Sequence, residues 1–304
     1  MTQKLRLFGR NLYRWRIVYL MFVPVAVYYF IFHYMPMYGA LIAFKNYQPA
    51  TGFDHAEWVG LAHIADFLKS YYFVRLIKNT LTISLTSLLF GFPAPILLAL
   101  LLNEVKSSAY KRVVQTVTYF PHFLSIMVVC GMLLNFFAHD GLVNDIIESL
   151  GGTRRDFMLD PNAFVPLYVG SGIWQSIGWG SIVYLAALSG IDPSLYEAAR
   201  IDGANRFSQA IHITLPGILP TITVMFILRV GGIMNVGYEK IILMYNNLTR
   251  ETADVISTFI YRKGLLNADY SYSTAVGLFN SVVNFGLVVA ANAVSRSVQQ
   301  TSLW

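Results

Sequence analysis

The 304-residue chain is 56% hydrophobic and 12% charged, carries a net charge of +6 and has a mean hydropathy of +0.53. A soluble domain carries about 25% charged residues, so this chain has too little polar material to cover a core of its size, and the composition excludes an ordinary soluble globule. A single cysteine, Cys130, excludes an intrachain disulfide and a thiol-built metal site, and the positive charge fits basic loops beside a membrane better than nucleic acid.

The chain begins MTQKLRLFGRNLYRWR and then turns apolar. No small-x-small cleavage site follows, so this reads as an uncleaved first helix rather than a signal peptide. Crossing the hydrocarbon layer takes about 20 apolar residues, and six stretches qualify: 17–35, 76–102, 113–137, 165–188, 217–236 and 275–294. Pro93 and Pro95 predict a kink in the second. The expected fold is therefore an all-α integral membrane protein with six transmembrane helices.

Orientation follows the basic residues. Lys4, Arg6, Arg10, Arg14 and Arg16 precede the first helix, whereas Lys45 stands alone in the ten residues after Met35. Both ends read as cytoplasmic: a basic N-terminus over 1–16, a membrane domain over 17–294 and a tail over 295–304. The outer segment 45–72 reads as a folded cap. Segment 139–164 has turn signals at Gly151, Gly152 and Pro161 around a short helix.

Segment 190–216 stands out as polar between two apolar stretches. Asp192 and Pro193 start a helix, Glu197, Ala198 and Ala199 favour one, and Gly203 permits a left-handed turn. A second helical piece, 206–213, runs to Pro216. The segment lacks the Lys-rich face of a lipid-surface anchor and suits a groove in another protein. Glu197-Ala198-Ala199, three residues, Gly203, nine residues, Ile213, one residue, Leu215-Pro216 resembles the EAA loop of binding-protein-dependent ABC importer permeases. The resemblance implies a coupling helix between helices 4 and 5 that docks in a cleft of an ATP-binding subunit, with Glu197 pairing a cation there and Gly203 setting the turn. HYMPMYGALIAFKNYQP, WQSIGWGSIVYLAAL, RVGGIMNVGYEKIILMYN and TAVGLFNSVVNFGLVVAAN are similar to the branch importing oligo- and polysaccharides, lipoprotein-linked and alginate-type permeases above all.

That resemblance implies a bacterial inner-membrane protein and a set of partners: a second, unlike permease, two copies of an ATPase and an extracytoplasmic solute-binding protein, with lipid around them and no nucleic acid. The chain has no GxxxxGK[ST], HExxH or GxSxG and no Cys/His cluster, so we expect no catalytic or metal residue and no cofactor in it. ATP and Mg belong to the partner. His33, His55, His63, His122, His139 and His212 are scattered and read as structural. One rival is an ion-coupled secondary sugar transporter, which would want carboxylates inside the spans; all 16 acidic residues fall outside them or at their edges. Another is a membrane transferase, for which Asp140 and Asp145 are the nearest candidates.

A sugar path wants aromatic faces and hydrogen-bonding groups. Arg229, inside the fifth stretch, either meets substrate in a watery cavity or locks two helices through a carbonyl or Glu239. Asn280 and Asn284 share a helix face and either line the path or join helices. Trp174 and Tyr184 could stack on a sugar ring or simply pack. Asn135 and Gln175 complete the candidate set.

Overall fold

The computed structural model describes residues 14–299. Lys4, Arg6, Arg10 and the tail beyond residue 299, which carry part of the orientation and tail readings, lie outside the described residues.

The described chain is mostly helical. Four runs are long and apolar enough to cross a membrane: Arg16–Phe44, Tyr72–Glu104, Arg206–Gly231 and Tyr270–Ser297. The first packs none of its apolar window inside the protein. The second is interrupted at Phe92, between helices Tyr72–Gly91 and Pro93–Glu104. Pro93 has no N–H to give, but Phe92 N still donates to Leu88 O at 3.2 Å, so the break is local.

The third stretch is not one helix, contrary to expectation. Helix Ser108–Tyr119 ends in a tight turn, Phe120–Phe123, and helix Ile126–Phe136 leaves at 100°. Pro121 sits in the turn, Leu124 is extended, and the Ser125 hydroxyl caps the new helix by accepting from Val128 N. Counted as one span, this bent pair would make five.

Stretch 165–188 lies in one helix, Pro161–Leu188, which is long enough to cross but too rich in Gly, Ser and Gln to stand out by hydropathy. It is the central helix. It packs on both halves of the interrupted second run, on Ser108–Tyr119 and on Leu215–Gly231, so protein rather than lipid meets much of its surface. Two glycines allow that approach. A Cβ on Gly178 would collide with the Thr118 carbonyl, and one on Gly180 would lie 3.0 Å from Pro95 Cγ.

The fifth stretch also differs from its expected bounds. Its helix begins at Arg206, passes a π-turn at Ala210–Thr214 and stops at Gly231. Residues 232–237 are irregular. Irregular backbone inside a helical bundle needs side-chain partners. Ser84 donates to Ile233 O, Ser257 Oγ donates to Val236 O at 2.6 Å, and Met234 N donates to Asn284 Oδ1 at 3.1 Å.

Segment 45–72 folds as a cap. Lys45–Asn46 pairs antiparallel with Glu57–Trp58, and the following helix, Ala62–Lys69, buries Phe67 against Leu76, Phe259 and Val276. A buried carboxylate, Asp254, ties this region together. Arg262 grips it with two bonds of 2.7 and 2.6 Å, the Thr258 hydroxyl donates at 2.6 Å, and Arg75 approaches to 3.6 Å.

Candidate functional site: an interior cavity and an exposed loop helix

A cavity of about 460 Å³ opens between the interrupted second run, the central helix and the irregular stretch 232–237. Ser84, Gln175, Ser176, Trp179, Tyr184 and Asn235 line it, together with Tyr168, Arg229 and Lys240. No Asp or Glu is among its lining residues. That leaves two cations and a set of neutral hydrogen-bonding and aromatic groups facing one space.

Arg229 lies in the last turn of helix Leu215–Gly231 and faces this cavity. Its guanidinium has no hydrogen bond or ion pair among the described residues, and Glu239 does not reach it. Gln175 Nε2 donates to Leu124 O at 3.1 Å, which satisfies a carbonyl freed by the bend. Trp179, one turn on, stacks face to face on His122 at 4.6 Å.

The other sequence candidates fall elsewhere. Asn280 and Asn284 do not line the cavity. Their amides both donate to Asn235 Oδ1, at 2.8 and 3.1 Å, which fastens the C-terminal helix to the irregular stretch. Trp174 is exposed and outside the cavity. Asn135 bonds the Gly131 carbonyl of its own helix and is also outside it. Tyr184 is buried and lines the cavity.

Lys240 was no site candidate in the sequence, where it counts only as a basic residue of an outer segment. It sits in helix Tyr238–Met244, beyond the end of the fifth span, and is 6% exposed. Its ammonium donates to Tyr168 O at 2.8 Å and lies 4.7 Å from the centre of the Tyr168 ring. A Cβ on Gly172 would stand in ordinary contact with Nζ, at 3.5 Å. Burial pushes the ammonium down to about 8.

The loop helix Pro193–Ile201 carries Glu197, Ala198 and Ala199. Asp192 caps it by accepting from Ser194 N at 2.9 Å, and that bond holds the Asp192 carboxyl below its usual range. At the far end Gly203 adopts φ +79°, and Ala204 N returns to Ala199 O at 2.8 Å, a glycine-terminated helix end. A Cβ at Gly203 would meet nothing within 4 Å, so backbone conformation alone asks for glycine there. Glu197 and Ala198 are exposed, and Leu195, Ile201 and Phe207 show 51, 87 and 75% of their surface. Two contacts join this helix and its neighbour to the spans: the Tyr196 hydroxyl with Thr214 Oγ1 at 3.0 Å, and Arg206 with Glu104 at 3.3 Å. Ile213 is half-buried, and Leu215 and Pro216 start the next helix.

A family profile described as "Binding-protein-dependent transport system inner membrane component" matches residues 91–300. The chain belongs to this family. It is thus a membrane component of a binding-protein-dependent transporter, and the ion-coupled and transferase alternatives fall away. This family member is 47% identical to protein LplB of Bacillus subtilis over 288 residues, 94% of this chain and 91% of that one. It is 42% identical to the polygalacturonan/rhamnogalacturonan transport system permease YteP of the same organism, over 94% and 90%. Its fold matches a bacterial ABC transporter involved in import of the acidic polysaccharide alginate, with TM-score 0.89, 46% identity and coverage of 96% and 99%. A second match, TM-score 0.90, also 46% identical and covering 97% and 99%, is the alginate transporter in complex with a periplasmic protein holding an alginate pentasaccharide.

Proposed function

We propose that this chain is the six-span permease subunit of an ATP-driven importer of oligo- or polysaccharides, acidic ones included. The observation that carries the reading is Arg229: a cation at the end of a membrane helix, facing a cavity, with no hydrogen-bond or ion-pair partner among the described residues. Such a group is costly unless hydrated or met by substrate. The substrates of its relatives, polygalacturonan and alginate, support a carboxylate-bearing sugar chain. The bent pair and the central helix supply the fifth and sixth crossings.

The exposed loop helix docks on the ATPase subunit, with Glu197 meeting a cation and Leu195, Ala198 and Ile201 covered by the partner. Tyr196 and Arg206 pass the movement to the spans. One such loop per chain calls for a second permease, and the unpacked first run, Arg16–Phe44, leaves apolar surface for it and for lipid. A solute-binding protein delivers the sugar from outside. The experiment is reconstitution in proteoliposomes with the neighbouring permease, ATPase and binding protein. We expect oligosaccharide to stimulate ATP hydrolysis and to enter only with ATP. Entry without ATP or without the binding protein would overturn the reading.

A further inference from the structure

We infer that Lys240 is the residue that reads the carboxylate of an acidic sugar, and so sets the transporter's preference for charged over neutral chains. This rests on the reading of the cavity as the sugar path, and it assigns Lys240 a task distinct from that of Arg229.

The two cations are held differently. Arg229 is exposed and has no hydrogen bond or ion pair among the described residues, as suits a group that contacts whatever passes. Lys240 is nearly buried and fixed in place by the Tyr168 carbonyl and ring. An ammonium has three donors, and among the described residues only one finds a protein acceptor. A neutral hydroxyl is a weak reward for a desolvated cation, whereas a carboxylate gives a charge-assisted bond in a low-dielectric setting. The absence of any acid among the lining residues means that no protein carboxylate competes. Lowered proton affinity from burial works in the same direction, since an anion placed beside Lys240 restores it.

The test uses the full reconstituted transporter with its own binding protein. Two probes are used: an oligogalacturonide and an alginate oligosaccharide. Each is paired with the same chain after its carboxylates have been reduced to alcohols. The quantity read is the ratio of uptake, charged over neutral, for wild type, Lys240→Met and Lys240→Arg. The binding protein is identical throughout, so a change in ratio belongs to the permease. Loss of a charge-assisted bond should lower the ratio on the order of tenfold in Lys240→Met, with Lys240→Arg keeping most of the preference. Should Lys240→Met fail to assemble, Lys240→Gln is read in its place, and an unchanged ratio in either variant overturns the inference while leaving the sugar path intact. A wild type that takes up neither form of either sugar would bring down the path reading and this inference together.

Discussion

The Tyr196 hydroxyl lies 3.0 Å from Thr214 Oγ1, so the exposed loop helix is hydrogen-bonded to the foot of the span that carries Arg229. Thr214 is buried at a π-turn, and Ile191 packs on Gly217 just beyond it. Removing this bond with Tyr196→Phe or Thr214→Val costs about 1 kcal/mol, too little to unfold the chain. The expected result is looser coupling: ATP hydrolysis with less sugar moved per ATP. Uptake per ATP at the wild-type value in both variants would show that the bond transmits nothing.

Glu197→Ala should leave the chain inserted but weaken its hold on the ATPase. On the proposed docking, a cation left unpaired in the partner's cleft would cost roughly 2–5 kcal/mol, readable as loss of ATPase on co-purification. Gly203 acts through its backbone. Its φ of +79° with open space around it means that Gly203→Ala costs about 1 kcal/mol of strain, while a bulky Gly203→Leu tests contact with the partner.

Arg229→Met keeps length and apolar character. Because no group among the described residues binds the guanidinium, thermal stability of the detergent-solubilised complex should hold while uptake falls. A drop in melting temperature with unchanged uptake would assign Arg229 to helix locking instead.

The lowered proton affinity of Lys240 sets a pH window. Burial brings its value from 10.5 to about 8, so the fold favours the neutral amine, and stability rises rather than falls as pH climbs from about 8 towards 10.5. Binding of a carboxylate needs the charged form and should weaken across the same interval. The groups facing Lys240 are Tyr168 and Cys130, with Arg229 on the same cavity. Uptake of an oligogalacturonide measured from pH 7 to 9 should fall in wild type and stay flat in Lys240→Arg.

Asp254→Ala strips the partner from Arg262 and Arg75. Breaking a buried pair by removing one side costs roughly 3–5 kcal/mol, so the variant should melt well below wild type. Asp254→Asn keeps an acceptor and should fall between them.

The loop helix was legible because a spaced polar string interrupts apolar sequence: the Asp192 cap and the Gly203 turn follow from local chemistry alone. The helix break ahead of Pro93 was legible for the same reason. The bend after Tyr119 was not, although Pro121 stood in view, because nothing local says that a membrane helix will turn by 100° rather than kink. Asn280 and Asn284 announced a shared face, but their partner Asn235 lies 45 and 49 residues away, and such pairings come from tertiary packing. Lys240 was hidden by its neighbours. Glu239-Lys240 reads as an ordinary polar helix start, and only the folding of residues 232–237 through the interior turns that lysine towards the cavity.

The contact at Gly178 has a consequence for how this protein can be dissected. There the central helix meets the Thr118 carbonyl backbone to backbone, with no side chain in between. An alanine scan, which normally deletes contacts, would at this position insert an obstacle. A scan score at Gly178 would therefore report how far two helices can be wedged apart, and it belongs on a different scale from every truncation around it.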